Sequence, residues 1–243
     1  MTFSEPSRPR RRGRGIVAVG LSVLILAGAA LAADRVLLSS TQSRIEAELV
    51  KATGATSPEV KIGGFPFLTQ IVGGSLHHLT VTADAVTYDS VTLTDVTVVG
   101  EGVPLDLSAV DSVELTGTLP TASIQTLVSS EIEKATGQDL TITVAVSGDH
   151  LVASTLVLGL VPLEMDLRPH AAGRGVQVEI ATIRLSGLAV APGDLPFDWG
   201  KNLSTFTVDI SQLPQGLELT SAQVLPDGVE LVAAGSNVEL PIG

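Results

Sequence analysis

The C-terminal half of the chain alternates apolar and polar residues with a period of two, and this pattern constrains the fold more than any other feature. Segments such as LTITVAV, VQVEIATIRL and GVELVAA are rich in Val and Thr, and Gly, Pro, Asp and Ser separate them. Because a period of two sends alternate side chains to opposite faces, each segment predicts a half-buried strand. Many such strands joined by short turns favour an antiparallel sheet.

Two segments have helical spacing instead. Between residues 34 and 53, apolar side chains recur every three or four positions, as at Leu38, Ile45 and Leu49, and Gly54 follows as a stop signal. A second helix is predicted around Ile124 and ends at Gly137. Further strands are predicted over 79–99, with a bulge or short turn near Asp95, and over 110–117. The chain is therefore expected to be α+β, a large antiparallel sheet with two main helices in a single elongated domain.

The N-terminus predicts a membrane segment. Five arginines precede residue 15, and residues 16–33 carry no charge. Eighteen helical residues just span a hydrocarbon core of about 30 Å, and the positive-inside rule keeps the arginines in the cytoplasm. We expect a basic tail at 1–15, a transmembrane anchor or signal segment at 16–33, and an extracytoplasmic domain at 34–243. The alternative is secretion after cleavage, because Ala30-Leu31-Ala32 resembles a signal-peptidase site.

Charge and cysteine content exclude several functions. After residue 15 the chain keeps nine Lys and Arg against 25 Asp and Glu, a formal charge of −16. Such a surface repels nucleic acid and does not favour docking on anionic headgroups by charge alone. The chain has no cysteine. Thiol catalysis, iron–sulfur clusters and cysteine zinc sites are therefore excluded, and the exported domain is held together without disulfides.

No catalytic pattern is present in the sequence. It contains no GxSxG, no phosphate-binding glycine loop followed by Lys, and no HExxH. His77 and His78 are adjacent, so in a strand their rings would point to opposite faces, which does not favour a shared metal. We therefore predict no catalytic residue, no metal site and no cofactor, and a protein that is not an enzyme.

The aromatic residues supply the candidate site. Two proline-bearing stretches, GGFPFL and LPFDWGKNLSTF, hold most of them, although aromatics make up only 3% of the chain. The first stretch looks like a loop that leads into a strand. Aromatic side chains at a membrane-held domain suit the mouth of an apolar groove or contact with the bilayer. The predicted lipid-binding residues are Phe65, Phe67, Leu68, Ile71, Phe197 and Trp199.

Two further considerations bear on this site. The alternative interpretation is that Phe65 and Phe67 plug the end of the core where helix meets sheet. The predicted strand faces use slim residues, so an aliphatic chain would complete the concave side of the sheet, with about 0.8 kcal/mol gained per buried CH₂. The cations available to a lipid phosphate are Lys61, Arg168, Arg174, Arg184 and Lys201.

The string G-F-P-F-L-T-Q, residues 64–70, resembles the LmeA family of actinobacterial envelope proteins. The likeness includes the basic, apolar N-terminal segment and the helix after it, runs through Val60 to Gln70, and resumes with LPQGL at 213–217 and DGV at 227–229. It covers roughly 34–240. It implies a phospholipid-binding protein with an elongated, curved antiparallel sheet whose helices form an apolar groove, similar to tubular lipid-binding proteins. In mycobacteria the family is associated with elongation of the mannan of lipomannan. The resemblance implies no catalytic residue.

These observations lead to one hypothesis and two alternatives. The leading hypothesis is a membrane-tethered, extracytoplasmic protein that binds phospholipid or glycolipid and supports envelope glycolipid synthesis or lipid transport. The first alternative is a non-catalytic envelope scaffold. The second is a hydrolase or transferase acting on glycolipid, which would need a pair of carboxylates facing the groove.

Overall fold

A computed structural model describes residues 13–88, 91–106, 108–136, 141–157, 159–191, 205–209 and 214–239. For residues 13–26, 88, 131–136 and most of 205–209 it describes the backbone alone. The helices are α1 (Gly13–Thr53), α2 (Phe67–Gly73) and α3 (Thr121–Thr136). The strands in chain order are β1 (Glu59–Gly63), β2 (Ser75–Tyr88), β3 (Val91–Pro104), β4 (Val110–Pro120), β5 (Thr143–Ser147), β6 (His150–Val157), β7 (Val161–Ala172), β8 (Gly175–Leu185), β9 (Leu188–Val190), β10 (Thr205–Asp209), β11 (Gln215–Leu225) and β12 (Gly228–Glu239).

The strands form two open sheets rather than the single large sheet that the sequence predicts. The first sheet has the order β1-β2-β3-β4-β12-β11, so the last two strands of the chain return to pair beside β4. The second has the order β10-β8-β7-β6-β5, and β9 also pairs with β8. All of these pairings are antiparallel, which confirms the predicted α+β class and the predicted antiparallel pairing.

Two hydrophobic cores lie against the first sheet. The larger core combines side chains from α3, from β5 to β8 and from β11 and β12, so it joins the two sheets. The smaller core lies under α1 and α2 and is centred on Val60, Ile62 and Phe67. Val113 of β4 packs against both cores. The apolar face of the first sheet is therefore covered at both ends by different layers.

The two predicted helices are present. Helix α1 runs without interruption from the apolar N-terminal segment, and its half-buried Leu38, Ile45 and Leu49 pack against the smaller core. Gly54 ends it at φ +60, in the left-handed region where a residue without Cβ is favoured. Helix α3 starts one residue after Pro120, which is the last residue of β4.

Helix α2 corrects the prediction that the GGFPFLTQ stretch is a loop leading into a strand. Phe67, Gln70 and Ile71 follow one another at helical spacing and face the protein interior. Gly74, at φ +77, closes the helix by donating its N–H to the carbonyls of its last turn. Seven residues are too few for a helical period to stand out in a sequence, so this element was missed.

The predicted bulge near Asp95 is confirmed. Asp95 has φ +51, and the pairing of β3 with β4 shifts register between Thr94 and Thr97. An extra residue in one strand bends that strand and increases its twist. Among the residues whose side chains the structure describes, which begin at residue 27, no helix combines the length and apolarity needed to cross a membrane.

Candidate functional site

Helix α2 is fastened to α1 immediately beyond the predicted membrane segment. Asp34 of α1 is only 2% exposed, and its Oδ1 accepts a hydrogen bond from the backbone N–H of Leu68 at 2.8 Å. Its Oδ2 is also buried and has no hydrogen-bond partner among the described residues. We call this junction, formed by Asp34, Arg35 and residues 63–74, the helix elbow.

The interior of the helix elbow is tightly held. Phe67 is 0% exposed in the smaller core. Gln70 is buried beside it, donates from Nε2 to the Gly63 carbonyl at 3.0 Å, and accepts the N–H of His77 at its Oε1 at 2.9 Å. One side chain thereby joins the end of β1 to the start of β2, which fixes the loop between them.

The two phenylalanines of the motif have opposite environments. Phe67 occupies the position that the core-plug interpretation expects, whereas Phe65 is 57% exposed and is not a plug. The Arg35 guanidinium carbon lies 5.1 Å from the centre of the Phe65 ring, a cation–π contact. The Phe65–Pro66 peptide bond is cis.

Of the other four predicted site residues, two lie in α2 and two lie outside the described part of the chain. Leu68 and Ile71 are half-buried in α2, and Ile71 packs against the smaller core. Phe197 and Trp199 lie outside the described residues. The helix elbow therefore brings together four of the six predicted residues, and their lipid-binding role stays a prediction.

A row of apolar side chains crosses the first sheet between the two cores. Val81, Val98 and Leu115 are paired directly across β2, β3 and β4, and all three are half-buried. Directly paired residues share one face of a sheet, so the three form a continuous surface, which we call the apolar strip. Val81 borders the smaller core and Leu115 the larger, while Val98, among the described residues, is grouped with neither.

The opposite face of the same sheet is polar. A concavity of about 550 Å³ there crosses β3, β4 and β12 and is lined largely by Val99, Glu101, Ser112, Glu114, Ala234 and Ser236. A second, of about 270 Å³, includes Glu59, Asp84 and Asp95. Their carboxylates do not favour acyl chains or phosphate, so an apolar ligand is better suited to the face that carries the apolar strip.

Most of the cations considered for a lipid phosphate have protein partners. Lys61 pairs with Glu59 at 3.0 Å, and Arg174 donates to the carbonyl of Pro214 at 3.1 Å. Arg184 holds Asp166 through two hydrogen bonds, of 2.8 and 2.7 Å. These bonds lower the pKa of the Asp166 carboxyl below its ordinary value, against the opposing effect of its burial.

Of the remaining cations, Arg168 lies in β7 and Lys201 lies outside the described residues. Arg35, which the sequence analysis did not select, stacks on the exposed Phe65. In the described part of the chain, no group of three His, Asp or Glu side chains is placed to hold a metal ion.

Sequence reasoning also missed Asp34 and Gln70, the two polar residues that build the helix elbow. Asp34 is the first charged residue after the apolar run, and this is a weak local signal of its role. Gln70 belongs to the G-F-P-F-L-T-Q string but carries no pattern that predicts two long-range backbone contacts. Their partners become neighbours only in the folded chain.

Apolar side chains that are exposed at a helix junction, or only half-buried along one sheet face, mark a surface for an apolar ligand, a membrane or another protein. The model of the LmeA-like phospholipid-binding family matches residues 32–234, and the chain belongs to this family. The match includes the helix elbow, the apolar strip and strands of both sheets, so family membership supports lipid binding. No curated protein and no solved structure matches the chain significantly.

Proposed function

We propose that the protein is a membrane-tethered, extracytoplasmic phospholipid-binding protein whose ligand lays its acyl chains along the apolar strip. In this role it supports envelope glycolipid synthesis or carries lipid between sites, without covalent chemistry. The tether is the uncharged segment 16–33, with the arginine-rich tail on the cytoplasmic side.

The observation that carries the proposal is the position of Val98. Val98 lies in the middle of a six-stranded sheet, on the face against which both cores pack, yet its side chain is only half-buried. Central sheet positions on a core face are ordinarily covered, and an acyl chain gains about 0.8 kcal/mol for each CH₂ that it buries. A chain lying over Val98 would bridge the gap between the cores.

The test compares two tryptophan substitutions on adjacent residues of β3. Val98→Trp fills the apolar strip, whereas Thr97→Trp places the same bulk on the opposite, polar face. Full-length wild type and both variants are purified from membranes in mild detergent, and retained phospholipid is counted by native mass spectrometry and lipid extraction. We expect wild type and Thr97→Trp to retain phospholipid at fixed stoichiometry and Val98→Trp to lose most of it.

Thermal unfolding of all three proteins shows whether Val98→Trp is folded. Equal retention in a folded Val98→Trp variant would remove the apolar strip as the binding surface. A wild type without phospholipid, and with the same stability after delipidation, would favour the scaffold alternative.

A further inference from the structure

We propose that the exposed side of the helix elbow lies in the outer surface of the lipid bilayer, with Phe65 and Val72 among the upper acyl chains and Arg35 at the phosphates. This inference rests on the proposed membrane tether, and it adds a second lipid contact, distinct from the apolar strip. Its partner is a phospholipid surface rather than a single bound lipid.

The helix elbow joins α1 directly after the predicted membrane segment. The predicted membrane segment ends at Ala33, and the residues that hold α2 are the next two, Asp34 and Arg35. At about 1.5 Å of rise per helical residue, they lie within about 3 Å of that end along the helix axis. Any segment fastened to them is therefore level with the membrane boundary.

Several large apolar side chains are exposed at the helix elbow. Val72 is 88% exposed, one turn after Leu68 on α2, and Phe65 is exposed beside Arg35. Leu105 is exposed as well, and its N–H bonds to the carbonyl of Gly74 at 3.0 Å, which places it beside the end of α2. On α1, exposed Leu31 precedes Asp34 by three residues, on the same side of the helix.

Contacts within the helix elbow hold these apolar side chains outward. Phe67 is fixed in the core, and Gln70 and Asp34 fix the loop and α2 by hydrogen bonds. Gly64, at φ +92, has no room for a side chain, because an added Cβ would lie 2.8 Å from the Nε2 of Gln70. A constrained loop that presents apolar residues loses little conformational entropy when it inserts.

The net charge of the chain bears on how it can contact a lipid surface. The formal charge of −16 after residue 15 disfavours attraction to an anionic surface, so contact with lipid needs apolar insertion. Arg35 adds a cation where phosphates lie, and its guanidinium lies over the Phe65 ring. A long basic side chain beside an aromatic ring is an arrangement suited to the membrane interface.

The test uses the absence of native cysteine, which permits a single fluorescent label. Full-length Val72→Cys is labelled with an environment-sensitive dye and reconstituted into phosphatidylcholine vesicles that contain spin-labelled phosphatidylcholine. Leu160→Cys is the matched control, because Leu160 is 83% exposed and lies between β6 and β7 in the second sheet. Flotation of the vesicles reports the tether independently of the dye.

We expect the dye at position 72 to emit at shorter wavelength in vesicles and to be quenched more by spin labels on the upper part of the acyl chains than by labels near the chain ends, while the dye at 160 changes little. Arg35→Gln in the Val72→Cys background is expected to reduce that quenching. Protein that floats with the vesicles while both dyes remain aqueous overturns the bilayer contact but leaves the tether intact. Protein that does not float overturns both.

Discussion

The carboxylate of Asp34 caps helix α2 from a different helix, because its Oδ1 accepts the N–H of Leu68 across 34 residues of chain. The residue at the usual capping position, Pro66, offers no side-chain hydrogen bond. The first turn of a helix has N–H groups without internal partners, and a nearby carboxylate satisfies one of them and interacts favourably with the helix dipole. The orientation of the G-F-P-F-L-T-Q segment therefore depends on the residue of α1 that directly follows its apolar N-terminal run.

Replacing Asp34 tests this cap. We expect Asp34→Ala to lower the free energy of unfolding by about 0.5–2 kcal/mol, the range for loss of a capping side chain. Asp34→Asn keeps an acceptor for Leu68, so it is expected to retain most of the stability. Urea unfolding of the three proteins measures the difference, and equal losses in both variants would show that the acceptor at position 34 is not the stabilising element.

Gln70 gives a second prediction. Gln70→Leu leaves the carbonyl of Gly63 and the N–H of His77 without this partner, and we expect a loss of about 1–3 kcal/mol in the free energy of unfolding. Gln70→Glu still accepts from His77, but when ionised it sets a buried negative charge against the carbonyl of Gly63, so a loss at least as large is expected at neutral pH. A Leu variant as stable as wild type would contradict the bridging role.

The two phenylalanines of the motif should differ sharply in their effect on stability. Phe67→Ala removes a fully buried ring, and we expect it to cost about 3–5 kcal/mol. Phe65→Ala removes a ring that is more than half exposed, so we expect a much smaller change in unfolding free energy, measured in detergent without phospholipid. Comparable losses would mean that Phe65, too, serves the core.

The Asp166–Arg184 pair predicts acid sensitivity. Because hydrogen bonding to Arg184 places the folded pKa of Asp166 below its unfolded value, the pair stabilises the fold fully above the unfolded pKa. That contribution is lost as the pH falls through the folded pKa. We expect the difference in unfolding free energy between wild type and Asp166→Asn to be largest at neutral pH and to shrink below about pH 4. A difference that does not change with pH would contradict this.

The local pattern of apolar and polar residues was sufficient to predict most of the helices and strands. A period of two in VDSVELTG and GVELVAA predicted β4 and β12, and helical spacing predicted the latter half of α1 and α3. The phase change at Asp95 predicted the bulge in β3. These features can be predicted from sequence because the direction of side chains along a strand or helix repeats every few residues. The G-F-P-F-L-T-Q string also predicted the family to which the chain belongs.

Only the folded chain decided how these elements meet. The strands divide into two sheets, because β11 and β12 return beside β4 while β5 to β8 pair among themselves. Phe65 and Phe67 look alike in sequence, yet a single intervening Pro66 and the hydrogen bond from Leu68 to Asp34 send one ring outward and the other into the core. Sequence patterns encode which face of an element is apolar, but burial depends on which distant surface covers that face.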